Sequence, residues 1–243
     1  MEYPRRSYWH DTAESIKKTP CKNLEEKDQK FDILIIGAGI TGLTTAYLLK
    51  DCGFNIGIIE ATNSGYGVTG YTTAKITIQH DLFYDNLINN FSIGEAKQYL
   101  KANEEGIKLI KNIICENKIQ CDYKEQTAYV YAATMDEVDD LQKELKAYQQ
   151  LGIDGFYTET VPLPNKAYGA IGVRNQGQFN PLKYLYSLYN ILINSNVKIY
   201  ENVRALDIIP HDEHVDVETQ KGTIHADKVI VASHYPFDNS FGL

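Results

Sequence analysis

Residues 31–60 read FDILIIGAGITGLTTAYLLKDCGFNIGIIE. The run Ile33, Leu34, Ile35, Ile36 predicts a strand buried on both faces, as parallel sheets require. Gly37-Ala38-Gly39-Ile40-Thr41-Gly42 follows at once. A helical pattern opens directly from that turn. Ile40, Leu43, Tyr47 and the Leu48, Leu49 pair give an apolar stripe reaching about Asp51, and Gly53 supplies a stop. A second apolar run over 56–59 ends in Glu60. Strand, glycine turn, helix, strand and acid together form the dinucleotide fingerprint in its structural context. Gly37 allows the tight turn, Gly39 lets the backbone approach a pyrophosphate, and Gly42 lets helix and strand pack closely. The helix N-terminus offers unpaired N–H groups and the positive end of a dipole to phosphates. Glu60, 18 residues past Gly42, stands where a carboxylate accepts hydrogen bonds from ribose hydroxyls. Its charge would repel a 2′-phosphate, which argues against NADP.

The chain has 243 residues, enough for one large domain or two modest ones. Its 43% hydrophobic and 23% charged content is ordinary for a globular protein. A formal net charge of −8 disfavours nucleic acid and anionic membranes as partners. No apolar stretch is long enough to span a bilayer. Arg5 and Arg6 lead into Ser-Tyr-Trp-His-Asp rather than an apolar core, so the N-terminus does not read as a signal peptide. Cys21, Cys52, Cys115 and Cys121 are scattered without C-x-x-C spacing, which suits a reducing compartment. These features together predict a cytoplasmic protein. His211 and His214 flank Asp212-Glu213 in what reads as a solvated hairpin tip, so no metal set is assigned.

Residues 1–30 are polar, with Pro4 and Pro20, and read as an extended lead-in with a helical turn at 12–18. Trp9 is expected to anchor this lead-in to the body. Residues 61–74 are dense in Gly, Thr and Ser and read as backbone and hydroxyl donors laid against a polar ligand. Ser92 and Glu95 form a capping box opening a helix to about Asn117, with Ile93, Ala96, Leu100, Ile107, Ile110 and Ile114 on its buried face. Residues 121–133 alternate and predict a strand. Thr134 and Glu137 form a second capping box, and the helix after it stops at Gly152. Short strands are expected near 155–159 and 168–180. Asn180-Pro181 then starts a helix with Leu182, Leu185, Leu188 and Leu192 inward. The remainder reads as a β-meander with strands at 197–200, 203–210, 213–219, 222–225 and 228–232. The stretch 226–234 reads as a buried parallel-type strand ending in a turn.

The glycine fingerprint alone leaves nicotinamide and flavin dinucleotides open. A nicotinamide-binding half passes quickly from its second strand to a third. Here a Gly/Thr segment and about a hundred residues of helix and antiparallel strand intervene before the next parallel strand. That interruption suits a flavoprotein whose dinucleotide-binding domain is split by a substrate domain. The residues 35–42, Glu60, the segment Gly67-Val-Thr-Gly-Tyr-Thr-Thr-Ala-Lys75 and Ala226-Asp-Lys-Val-Ile-Val-Ala-Ser233 resemble the D-amino-acid-oxidase-like (DAO) superfamily of FAD-dependent oxidoreductases. Within it, Tyr8-Trp9, residues 68–80 and Gln178-Phe-Asn-Pro181 resemble the bacterial branch in which a DAO-type domain precedes a C-terminal Rieske iron–sulfur domain.

The resemblance implies an α/β fold, with an FAD/NAD(P)-binding Rossmann-like domain split by an α+β substrate domain with antiparallel sheet. The expected organisation is a lead-in over 1–30, an FAD-binding domain from 31–80 and 181–243, incomplete at its C-terminus, and a partial substrate domain over 81–180. It implies FAD as cofactor and oxidation of an amine or amino acid by hydride transfer from a substrate C–H to flavin N5. It assigns the turn Gly37, Ala38, Gly39, Ile40, Thr41, Gly42 to the pyrophosphate and Glu60 to the adenosine ribose. It lays Thr69, Gly70, Thr72, Thr73 and Ala74 along the inner half of FAD. It gives Val203 a backbone contact with adenine, and sets Ala232 and Ser233 at a strand end closing over the cofactor. Where the family usually has Thr-Gly, this chain has Ser233-His234, and His234 cannot approach a ligand as glycine can. Lys75 and His80 are the candidate catalytic residues. Family members continue beyond the equivalent of Leu243, so the resemblance marks the chain as truncated, with any iron–sulfur electron acceptor in a missing C-terminal part. An NAD-linked reductase and a non-catalytic nucleotide-binding remnant are the competing readings.

Overall fold

The structure is a computed structural model that describes residues 7–21, 23–25, 29–162 and 167–234. In chain order its elements are α1 (Tyr8–Thr12), β1 (Lys30–Ile36), α2 (Ile40–Leu49), β2 (Ile56–Glu60), a 3-10 helix (Val68–Tyr71), β3 (Lys75–Ile76), α3 (Tyr84–Asn90), α4 (Ile93–Glu116), β4 (Lys124–Ala132), α5 (Val138–Leu151), β5 (Gly155–Thr158), β6 (Gly169–Gln178), α6 (Pro181–Asn194), β7 (Lys198–Glu201), β8 (Ala205–Pro210), β9 (Val215–Thr219) and β10 (Gly222–Val231). They form two compact units, Met1–Thr73 with Asn180–Leu243, and Ala74–Phe179.

The first unit is built on a six-stranded sheet in the order β7-β2-β1-β10-β9-β8. Strands β7, β2, β1 and β10 run parallel, and β8 and β9 are added antiparallel. The apolar run that predicts β1 is buried as expected: Leu34 and Ile35 are fully enclosed. Phe31, Leu34, Ile36 and Ile59 pack in one core cluster with Tyr200, Val217 and Ile224. The four leucines predicted to face inward on α6 are all fully buried. Asn180 caps that helix, accepting from the N–H groups of Leu182 and Lys183, with Pro181 at the first helical position.

Two expectations for the last part of the chain change. The strand near 197–200 is not part of a meander, because β7 pairs parallel with β2. A strand delivered by a helix such as α6 returns parallel to its neighbour, whereas a meander strand must arrive through a tight turn. The predicted strands at 222–225 and 228–232 are one, β10. Its first half pairs antiparallel with β9 and its second half parallel with β1. Val231 at its end is 49% exposed, so this strand is less enclosed than its apolar sequence suggests.

The second unit is an antiparallel sheet covered by helices. Strand β6 pairs with β4 along one edge and with β3 and β5 along the other. Ile171 and Val173 of this sheet share a core with Leu100 of α4, Leu141 and Tyr148 of α5, and Tyr84 of α3. The N-cap half of the predicted box at Ser92 is present: its hydroxyl accepts from Glu95 N–H at 3.2 Å and donates to the Glu95 carboxylate at 2.7 Å. On α4 the buried residues are Ala96, Leu100, Ile113 and Ile114, while Ile93 is exposed. The second predicted box forms only in part, through the bond from Thr134 N–H to the Glu137 carboxylate. Glu137 turns back to accept from the N–H groups of Ala133 and Thr134, α5 starts only at Val138, and Met135 lies in solvent. The boundary between the units falls at Thr73/Ala74 rather than after His80, because β3 pairs with β6 and Ile78 joins the second core.

Candidate functional site

The carboxyl ends of β1, β2 and β10 open onto a cleft of about 740 Å³ in the first unit. A crevice outside the carboxyl ends of parallel strands is where α/β sheets bind ligands. Its wall begins with the glycine turn. Gly37 has φ +113°, a left-handed conformation that favours glycine. A Cβ there would stand 2.7 Å from the carbonyl oxygen of Ala232. At Gly42 a Cβ would lie only 1.9 Å from the carbonyl oxygen of Gly37. Both glycines are therefore demanded by backbone packing. Gly39 differs, since a Cβ there would meet only the Thr69 hydroxyl, at 3.2 Å, and the residue lines the cleft.

Helix α2 starts at the cleft wall with Gly39 as its N-cap and no side-chain cap. The Thr69 hydroxyl accepts from Ile40 N–H at 3.2 Å. Glu60 ends β2 with one carboxylate oxygen accepting from Ala38 N–H at 3.0 Å and the other from the N–H and hydroxyl of Thr62. These bonds fix the carboxylate beside the glycine turn. A carboxylate has about four lone-pair sites, so acceptor capacity toward a ligand remains. Val203 is buried and its N–H donates to the carbonyl of Glu60 at 2.9 Å, which leaves its carbonyl as the group able to serve a ligand. Ala232 N–H donates to Ile36 carbonyl at 2.8 Å, carrying the chain across the end of β1.

The structure thus brings Gly37, Gly39, Ile40, Thr41, Glu60, Thr69, Thr72, Val203, Ala232 and Ser233 to one cleft. Ala38, Gly42 and Gly70 stand behind the wall. Ala38 is buried, and a Cβ on Gly70 would strike the carbonyl oxygen of Gly65 and the His10 ring. Thr73 and Ala74 are not among the lining residues. Thr62, Gly65 and Gly67, inside the 61–74 segment read as donors but not singled out, also line the cleft, as do His234 and Arg204. The Gly/Thr density of 61–74 signals the first three, while nothing local distinguishes Arg204.

The lead-in holds this segment in shape. Trp9 Nε1 donates to Thr72 carbonyl at 2.7 Å, the Ser7 hydroxyl donates to Gly70 carbonyl, and the His10 ring packs against Tyr66 and Tyr71. Trp9 anchors the lead-in as expected, but the helical turn sits at Tyr8–Thr12 rather than 12–18. Further along, Glu201 fixes the 61–67 loop. Its buried carboxylate accepts from Ser64 N–H at 2.6 Å and pairs with Lys18. Burial alone would raise its pKa, but the Lys18 ammonium and the Ser64 N–H hold it below the usual carboxylate range.

The two candidate catalytic residues lie in the second unit. Lys75 is exposed on the wall of a cavity of about 530 Å³ that Gln126, Tyr129, Gln176 and Gln178 also line. His80 is not part of that wall. Its Nδ1 lies 2.9 Å from the Tyr99 hydroxyl, and burial followed by the nearby Lys75 charge lowers its imidazole pKa.

A parallel sheet with a glycine turn, an open helix N-terminus and a strand-end acid around one cleft defines a dinucleotide-binding α/β protein. The comparisons narrow this class. The family model of FAD dependent oxidoreductases, DAO, matches residues 32–238, and the chain belongs to that family. It is 38% identical over 237 residues to the "Putative Rieske 2Fe-2S iron-sulfur protein YhfW" of Bacillus subtilis, covering 98% of this chain and 46% of that protein. It is 24% identical to the gamma-glutamylputrescine oxidoreductase of Escherichia coli, covering 91% of this chain and 53% of that enzyme. The fold is that of glycine oxidase from Geobacillus kaustophilus, with a TM-score of 0.70 at 20% identity over 84% of this chain and 55% of that one. The chain thus spans about half the length of the curated relatives it matches.

The residues present fit FAD, the family's cofactor. Gly39 leaves an open cradle that no packing requirement explains, directly at a helix N-terminus whose own N-cap residue carries no capping side chain and which suits a pyrophosphate. Among the described residues no helix is long and apolar enough to cross a membrane.

Proposed function

We propose that this chain supplies the adenosine and pyrophosphate half of an FAD site in an oxidoreductase acting on an amine or amino acid. The observation that carries the reading is the joint geometry of Gly37, Gly39 and Gly42 at the head of α2, with Glu60 beside them on the same cleft. In this reading the start of α2 binds the pyrophosphate and Glu60 accepts from the ribose. The Val203 carbonyl meets adenine, and Ala232 and Ser233 cover the bound dinucleotide. When bound, FAD supplies acceptance of a hydride from a C–H beside an amine nitrogen. Lys75, exposed on the second unit's cavity wall, is the candidate cation for the reaction, whereas His80, tethered to Tyr99, is a structural histidine. The names of the glutamylputrescine and glycine enzymes support an amine or amino acid as substrate. The name of the Bacillus relative supports an iron–sulfur group as electron acceptor. Four free cysteines support a cytoplasmic setting.

The test is cofactor titration of the purified chain. It should carry the visible absorbance of flavin, or quench flavin fluorescence on addition of FAD, and should bind NADH far more weakly. Tight NADH binding by a chain that takes up no FAD would overturn the assignment in favour of a nicotinamide-linked reductase.

A further inference from the structure

Three imidazoles gather around one carboxylate on the first unit's antiparallel edge, away from the strand-end cleft residues. Strand register explains how. The turn 211–214 closes with a 2.8 Å bond from His211 N–H to His214 carbonyl, so these residues face each other where β8 passes to β9. Asp216 follows His214 by two positions and points to the same face. His225 of β10 is the cross-strand partner of Asp216, so it joins that face too. His211 Nε2 lies 3.3 Å from one Asp216 oxygen, and His214 Nε2 lies 3.1 Å from the other. The two rings stack with centroids 4.6 Å apart and planes 22° apart, which directs both Nε2 atoms at the same carboxylate. His225 Nδ1 stands 2.6 Å from Asp216 Oδ1.

These separations fit a metal. Four ligands about 2.0–2.1 Å from a tetrahedral zinc ion lie about 3.3 Å from one another. The ligand atoms of His211, His214 and Asp216 all fall within 4.8 Å of one another, the one grouping of this kind among the described residues. His225 stands outside the ligand triad and bonds to the ligating carboxylate, the role that supporting residues take around metal ligands. The two imidazoles are each 43% exposed and Asp216 only 20%, so an ion can enter from solvent and keep water on its remaining positions. Two neutral nitrogens and one carboxylate suit a borderline first-row divalent ion and not calcium or magnesium, which take oxygen ligands. We propose that His211, His214 and Asp216 form a surface site for a divalent transition ion of the zinc class, with His225 orienting Asp216, and that the ion clips the β8–β9 turn to β9.

Zinc chloride titrated calorimetrically into the chelator-stripped full chain tests this. One ion should bind per chain, magnesium chloride should give no saturable heat, and zinc should raise the melting temperature. The double variant His211→Ala/His214→Ala should abolish the zinc heat and the melting shift while its circular dichroism stays native. His225→Ala should weaken binding about 10–100-fold, as expected for a supporting residue. The variant His80→Ala, distant in sequence, should bind as the parent does. Absence of saturable zinc binding would overturn the site, leaving a hydrogen-bonded cluster that only ties the strands. Undiminished zinc affinity in the double variant would overturn it equally.

Discussion

The three glycines of the turn look alike in sequence and do different work. Gly42→Ala forces a Cβ to within 1.9 Å of a backbone oxygen. Backbone cannot yield as a side chain does, so this substitution should cost at least about 1–3 kcal/mol of stability. Gly39→Ala meets only a hydroxyl at 3.2 Å and should change stability by less than about 1 kcal/mol. It fills the cradle, however, and should weaken FAD binding tenfold or more. Thermal melts paired with FAD fluorescence titrations check both, and the expectation fails if Gly39→Ala binds FAD as the parent does. The packing task of Gly42 was legible from its spacing without a structure. The task of Gly37 is only half legible, because its second constraint is the carbonyl of Ala232, far along the chain. Glu60 was readable as a cleft acid, but its bonds to Ala38 and Thr62 were not.

At the scale of elements, two buried glutamates act as caps for backbone they do not belong to. Glu144 of α5 accepts from the N–H groups of Phe83, Tyr84 and Asp85 at 3.2, 2.9 and 2.8 Å, capping the start of α3, which has no cap of its own. Removing it in Glu144→Ala should cost about 1–3 kcal/mol, seen in denaturant unfolding. Burial pushes its carboxyl above the usual range despite those three bonds. The folded state thus favours the protonated form. The associated stability is full below the ordinary glutamate pKa and is lost as pH rises through the raised value. Glu201 has the opposite sign. Its lowered pKa gives stability that is present above the ordinary value and is lost as pH falls through the depressed one. Unfolding free energies measured across the acid range should therefore show Glu201→Gln losing its deficit against the parent as pH falls. Glu144→Gln should gain on the parent as pH rises. Coinciding profiles for the two variants would refute this. Neither role was legible, since a glutamate on a helix or at a strand end carries no sign of the N–H groups that folding brings to it. The Asn180 and Ser92 caps were legible because cap and helix are adjacent in sequence. Glu137 showed the limit: its carboxylate reaches back to Thr134 N–H as the spacing predicts, yet the helix starts only at Val138.

At the scale of the molecule, the interrupted order of the elements was the legible fact. A Rossmann-type opening, a long helical and antiparallel insertion, and a late apolar strand pointed to a split domain; the chain forms two compact units, one of them contributed by both ends of the sequence. The position of the seam was not legible, because two residues of β3 belong with β6 about a hundred positions away. Strand β10 has a consequence for how the protein comes to be made. Lys30 of β1 pairs with His225 of β10, a separation of 225 − 30 = 195 residues. At ribosomal speeds of about 5–20 residues per second, β1 waits on the order of 10–40 seconds for that neighbour. Residues 74–179 emerge meanwhile as one unbroken stretch, with every sheet partner of β3–β6 inside it. The later unit in the sequence is thus the first that can finish folding, and the nascent nucleotide half must keep its apolar first strand from other chains until the last strand of its sheet is born.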